Sequence, residues 1–198
     1  MDAFIADFHA ISVYQWLATV FSLVYIFYAV KNHSICFVFG LLSAVFWAYE
    51  SYFLLNLKFD SFLQVFYIIM SIYGLYVWLR GGENRSERAI SFFGLKPNAL
   101  IVLLGLALSY ALYTWTQGIF DTDKAFIDLL TTVFSIIATF LLIHRYIDNW
   151  IYWIVIDLIY VYLYWGQGGF LFAMIMMIYS IMAIKGYKNW KKIYLDTV

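Results

Sequence analysis

Between residues 149 and 184 the chain runs for 36 residues with one charged side chain, Asp157. Nothing else in the sequence restricts its fold so severely. The run is too apolar for a water-facing surface. At about 1.5 Å rise per residue it is also too long for one helix across a hydrocarbon core of about 30 Å. Gly166-Gln167-Gly168-Gly169 lies near its middle and signals a turn, so the run is expected to hold two spanning helices.

Five further charge-poor stretches meet the length of about 20 residues that a span requires. They are 11–30, 34–57 (with Glu50), 61–79, 98–120 and 125–143 (with Asp128). The expectation is therefore an all-α integral membrane protein of seven helices. A β-barrel would alternate polar and apolar residues over short segments, which 99–109 does not do. The composition agrees: 65% of the 198 residues are hydrophobic and 12% charged, and the mean hydropathy is +0.83. Twelve basic and twelve acidic residues cannot coat a soluble domain of this size. The net charge of +0 gives nucleic acid no basic face. The single cysteine, Cys36, excludes an internal disulfide. No basic n-region precedes the first span, so no secretory leader is expected.

Thr19-Val20-Phe21-Ser22 recurs as Thr132-Val133-Phe134-Ser135, a shift of 113 residues. The same shift carries the loop at Lys31 onto His144. It also carries the second helix onto the one that starts near Asn149. The pattern reads as two three-helix units, 11–79 and 125–184, joined by a connecting helix at 98–120. With one crossing between two odd units, both insert the same way round, as in parallel-repeat carriers that bind substrate between their halves. Loops after helices 1, 3 and 5, plus the segment 185–198, hold ten of the twelve Lys and Arg residues. The positive-inside rule then sets the N-terminus outside and a basic tail at the cytoplasmic surface of an inner membrane.

Polar residues inside spans are costly and mark functional candidates. Trp150, Trp153 and Asp157 follow an i, i+3, i+7 spacing, which confines them to a sector of about 60° along about 10 Å of helix. Two indoles and a carboxylate suit a flat heteroaromatic cation, although Trp150 also fits an interfacial aromatic belt. Helix 2 offers Trp47 and Glu50, with Ser43, on one face, and helix 3 offers Gln64, Tyr67 and Ser71. Such stripes also serve as glue between helices. Asp128 is close to its helix start and reads as packing.

Other classes fit less well. All eight lysines lie in loops, at helix ends or in the tail, so a retinal Schiff base has no partner. His9, His33 and His144 are dispersed and form no catalytic or metal-binding pattern, so no enzyme, cofactor or metal is expected. A cation or proton channel remains the physical competitor, and no nucleotide-binding loop is present.

The motif Trp150-x-x-Trp153-x-x-x-Asp157, the pattern Gln64-x-x-Tyr67 with Tyr73-Gly74-x-x-x-Trp78, and the 3+1+3 count together resemble the Pnu family of bacterial vitamin transporters. The resemblance covers essentially the whole chain. It implies a fold similar to the SWEET sugar carriers. It also implies facilitated diffusion of an unphosphorylated vitamin, trapped afterwards by phosphorylation inside the cell. Members resembling the nicotinamide riboside carriers carry Asn at the last motif position, whereas the aspartate form looks like the thiamine branch. Thiamine also offers an aminopyrimidine nitrogen that a protonated Glu50 would serve. Thiamine is therefore the expected small-molecule substrate, ahead of nicotinamide riboside and then riboflavin. The oligomeric state, a homo-oligomer included, stays open.

The charge asymmetry has a direct check. Cysteines placed between residues 121 and 124 should react with an impermeant thiol reagent from outside, and those placed between 80 and 88 should not. The reverse pattern would invert the orientation.

Overall fold

The computed structural model describes residues 12–54, 58–82, 87–116, 125–166 and 169–197. Seven helices lie within them. These are α1 (Val13–Val30), α2 (Cys36–Tyr49), α3 (Lys58–Arg80), α4 (Leu95–Trp115), α5 (Ala125–Ile143), α6 (Asn149–Gly166) and α7 (Phe170–Thr197). Six carry a segment long and apolar enough to cross a membrane, α2 doing so together with the π-helical turn Glu50–Leu54 that extends it. The other is α6, whose apolar run is diluted by Asn149, Asp157, three tryptophans and four tyrosines. Large side chains such as Leu103, Leu104 and Tyr162 point outward and exposed. Lipid solvates them as well as a protein core would, which removes the usual penalty for leaving them there.

Local chemistry starts and stops the helices. Ser12 caps α1 by accepting the Gln15 amide at 3.1 Å. Gly94, with φ of +100°, takes the backbone into α4 through a conformation that other residues resist. The ends of α1 and α5 are the same device at two places. Asn32 and Arg145 both have φ of 55°. Their amides return to Ala29 O and Leu142 O, and those of His33 and Tyr146 to Tyr28 O and Leu141 O, all at 2.9–3.0 Å. This is the paired 5→2 and 6→1 closure that satisfies orphan carbonyls at a helix end.

Six helices close a ring in the order α1, α2, α3, α5, α6, α7 and back to α1, while α4 lies outside against α5. Two buried indoles bridge the seams. Trp78 of α3 donates to Leu142 O of α5 at 3.3 Å, and Trp190 of α7 donates to Ala29 O of α1 at 3.0 Å. The indoles touch each other, with ring centroids 5.6 Å apart. Glycines bring the helices close enough for this. A Cβ on Gly74 would stand 2.2 Å from the Phe37 ring, and one on Gly186 would stand 2.6 Å from the Trp150 indole. At the same end, Arg145 lies over Trp78 at 4.5 Å and pairs with Glu87 at 3.3 Å. Burial lowers the guanidinium pKa, and Glu87 opposes that shift.

Three expectations change. Residues 185–197 are not a separate tail but the last turns of α7, because lysine stems can lie along a helix while their ammonium groups reach outward. Trp190, set among these lysines in the segment expected at the surface, is 0% exposed. The connecting helix starts at Leu95 and ends at Trp115, earlier at both ends than expected, and 117–120 lie outside the described residues. Gln167 and Gly168 of the expected turn, the 121–124 loop and residue 198 also lie outside them, and α6 and α7 flank that turn.

Gly186→Ala should lower the thermal midpoint in detergent, because the added methyl meets a buried indole and overpacking of this kind costs about 1–3 kcal/mol. Helix propensity returns at most about 1 kcal/mol. Gly166→Ala, with no neighbour within 4 Å, should leave the midpoint unchanged or raise it.

Candidate functional site

A cavity of about 400 Å³ lies within the ring and is lined by residues from all six of its helices. That is the size of an ordinary small-molecule site. Six of the eight residues expected at the site line it: Trp47, Gln64, Tyr67, Ser71, Trp153 and Asp157. The i, i+3, i+7 spacing of Gln64, Tyr67 and Ser71 on α3, and the i, i+4, i+7 spacing of Trp153, Asp157 and Tyr160 on α6, turn one stripe of each helix inward.

The other two sit elsewhere. Trp150 does not reach the cavity. It is 0% exposed and packs edge-on against Trp190, with centroids 5.3 Å apart, in the cluster at the Arg145 end. It shares a side of α6 with Trp153 but lies nearly a turn closer to the helix start, where Gly186 lets α7 come in. Glu50 is likewise 2% exposed and off the cavity, and its Oε2 accepts a hydrogen bond from Ser12. Glu50 still has helical φ and ψ three residues past Trp47, and the π turn runs on from it.

Asp157 is 6% exposed and accepts no hydrogen bond from a described residue. Among the described residues no Lys, Arg or His lines the cavity. A carboxylate in such a place costs free energy that a cationic ligand would offset. Around it stand aromatic faces (Trp47, Trp153, Tyr160, Tyr164) and hydroxyls (Ser22, Ser135, Thr139, Tyr179). Tyr179 donates to Ser22 Oγ across the α1–α7 seam. Sequence reasoning missed Tyr25, Ser22, Ser135, Gly40 and Tyr179. Ser22 and Ser135 were visible only as the last letters of the recurring Thr-Val-Phe-Ser. Tyr25 and Gly40 had no polar contrast with their surroundings to single them out.

Residues 12–192 match the family model described as nicotinamide mononucleotide transporter. The chain belongs to that family. It is a multi-pass membrane transporter, and not an enzyme by descent. The nicotinamide riboside transporter PnuC of Escherichia coli (strain K12) is 28% identical over 165 residues, covering 70% of this chain and 69% of the relative. Its counterpart from Neisseria mucosa is 26% identical over 193 residues, covering 90% and 73%. The crystal structure of a vitamin B3 transporter PnuC superposes with a TM-score of 0.72 at 23% identity, covering 91% of this chain and 81% of that one. The all-helical fold is therefore that of a known transporter.

The two tryptophans of the motif now part company. Trp153→Ala should weaken ligand binding by about 1–3 kcal/mol if the indole stacks on the ligand. Trp150→Phe should leave affinity unchanged and lower only thermal stability. Calorimetric titration of the purified variants separates the two outcomes.

Proposed function

We propose that this chain carries nicotinamide riboside or a closely similar pyridinium riboside across the inner membrane by facilitated diffusion. The observation that carries the reading is Asp157, a buried carboxylate beside Trp153 that finds neither a hydrogen-bond donor nor a cationic side chain in the cavity among the described residues. A fixed-charge heteroaromatic ring satisfies both groups at once, by charge neutralisation and by cation–π contact. The relatives named above support the vitamin, since each is named for nicotinamide riboside. Trp47, Gln64, Tyr67, Ser71, Trp153 and Asp157 are the proposed binding residues. The ribose hydroxyls would find partners among Gln64, Ser71 and the serine and threonine hydroxyls of the cavity.

Thiamine is the second reading. Asp157 favours it, because the resemblance associates aspartate at that position with thiamine and asparagine with nicotinamide riboside. Its other support was Glu50 as partner of the aminopyrimidine, and Glu50 does not line the cavity. That loss moves thiamine behind nicotinamide riboside. Riboflavin is neutral and leaves Asp157 unexplained.

The proposed architecture is two three-helix units, α1–α3 and α5–α7, related by an axis along the membrane normal, with α4 as connector. The helix starts support it, being 112, 113 and 112 residues apart. The reciprocal indole bonds of Trp78 and Trp190 support it as well. The proposed orientation places the Trp78–Trp190 end at the cytoplasmic face, following the lysines and arginines.

Proteoliposomes test the reading. Labelled nicotinamide riboside should equilibrate without a gradient and exchange with unlabelled compound. Asp157→Ala should weaken binding by about 2–5 kcal/mol, because it strips a buried charge of its partner. Accumulation driven by an imposed proton or sodium gradient would refute passive transport. Preferential uptake of thiamine would move the assignment to the second reading.

A further inference from the structure

Positions 40 and 153 both line the cavity and are 113 residues apart, the interval at which the seam contacts recur. Trp153 carries the largest kind of side chain and Gly40 carries none. The room at Gly40 is not left open. A Cβ there would stand 3.0 Å from Tyr25 Cδ2 and 3.3 Å from both Tyr25 Cε2 and Ser71 Oγ. The Tyr25 ring therefore occupies the volume that a side chain at position 40 would claim.

The neighbours are exchanged in the opposite sense. The residue 113 after Tyr25 is Ala138, and the residue 112 after Ser71 is Ala183; both are buried in the clusters against which Trp153 packs. On the α5–α7 side the middle helix supplies the ring and its neighbours are small. On the α1–α3 side the middle helix supplies no side chain at position 40, and its neighbours supply a phenol and a hydroxyl there. Each side thus presents one ring to the cavity at corresponding places. Tyr25 and Trp153 are both only partly buried, and the protein packs no described ring face-on against either one across the cavity.

We propose that Tyr25 is the second aromatic wall of the ligand site. The flat ring of the ligand lies between Tyr25 and Trp153, and Gly40 sets the width of that slot by letting the phenol settle against the α2 backbone. A slot bounded on both faces selects planar rings of one thickness and rejects saturated sugars, which Asp157 alone would not do. This assignment rests on the carrier reading of the cavity given above.

Calorimetric titration of the full-length protein in detergent with nicotinamide riboside, and separately with thiamine, tests it. Tyr25→Phe keeps the face and should bind within about threefold of the parent. Tyr25→Leu fills the gap without a face and should bind about tenfold to a hundredfold more weakly, the usual range for a lost stacking partner. If the leucine variant does not run as a monodisperse species, Tyr25→Met carries the same expectation. Gly40→Val should weaken binding in the parent, yet cost little more once Tyr25 is alanine, because its effect passes through the displaced ring. Parent-like affinity in a well-folded Tyr25→Leu or Tyr25→Met protein would overturn the slot and leave the carrier reading intact. Additive losses from Gly40→Val and Tyr25→Ala would overturn the role of Gly40 in setting its width. A parent that binds neither vitamin would overturn the carrier reading and this assignment together.

Discussion

Two indole N–H groups hold the ring shut. Apolar side chains drive helices together weakly in lipid, because hydrocarbon solvates them on either side of the contact. Close packing and hydrogen bonds must do that work. Trp78 and Trp190 supply both, each donating to a carbonyl in the last turn of a helix from the other half of the chain. The accepting carbonyls, Leu142 O and Ala29 O, also take a backbone amide in the turn that ends their own helices. Helix termination and seam closure are therefore one structure. Any change that unwinds the end of α1 or α5 also removes the acceptor that α7 or α3 uses.

That arrangement decides where the cavity stops. Phe37, Leu142 and Ala183 are its last lining residues toward the Arg145 end, and beyond them stand Trp78, Trp150 and Trp190, all 0% exposed. Gly74 and Gly186 are the permissive positions, since a methyl at either would strike an aromatic ring. The polar groups proposed to serve a ligand line the cavity within the ring. They are sharpest where corresponding positions differ: Ala44 against Asp157, Gly40 against Trp153, and Gln64 against Met176 all line the cavity at the 112–113 interval. Scaffold contacts recur at that interval, and so do some cavity groups, Ser22 with Ser135 and Tyr67 with Tyr179; Asp157, Trp153 and Gln64 are departures from the pattern that holds the ring.

Much of this was legible because lipid imposes so simple a demand. A run of about 20 apolar residues has few alternatives to a spanning helix, so the seven elements could be counted from charge alone. The end of α7 could not, because Lys185, Lys188, Lys191 and Lys192 read as the end of a span whether or not the helix continues. Helical spacing identified the inward stripes on α3 and α6 correctly. It carries no information on depth, however, so Trp150 was grouped with Trp153 although Gly186 draws α7 against it. Glu50 failed for a different reason, since helical spacing does not show that Ser12, which caps another helix, engages its carboxylate away from the cavity. Tyr25 was hidden among tyrosines and phenylalanines because its role depends on the absence of a side chain fifteen residues later, on another helix.

The charge distribution bears on why transport through this cavity would favour one form of a vitamin. A phosphorylated nucleoside carries about −1.5 to −2 on its phosphate near neutral pH. Inside the cavity it would meet Asp157 and, among the described residues, no Lys, Arg or His to offset it. Helix N-termini, the other common phosphate partners, lie at the ends of the bundle and not in its middle. The unphosphorylated cation has the opposite balance, attractive to the carboxylate and without an anion to desolvate. Although the family description names a mononucleotide, the electrostatics of this chain oppose one. A carrier built as proposed would need no energy source of its own to act in one direction, provided that phosphorylation follows entry: the product would be disfavoured by the same carboxylate proposed to admit the substrate.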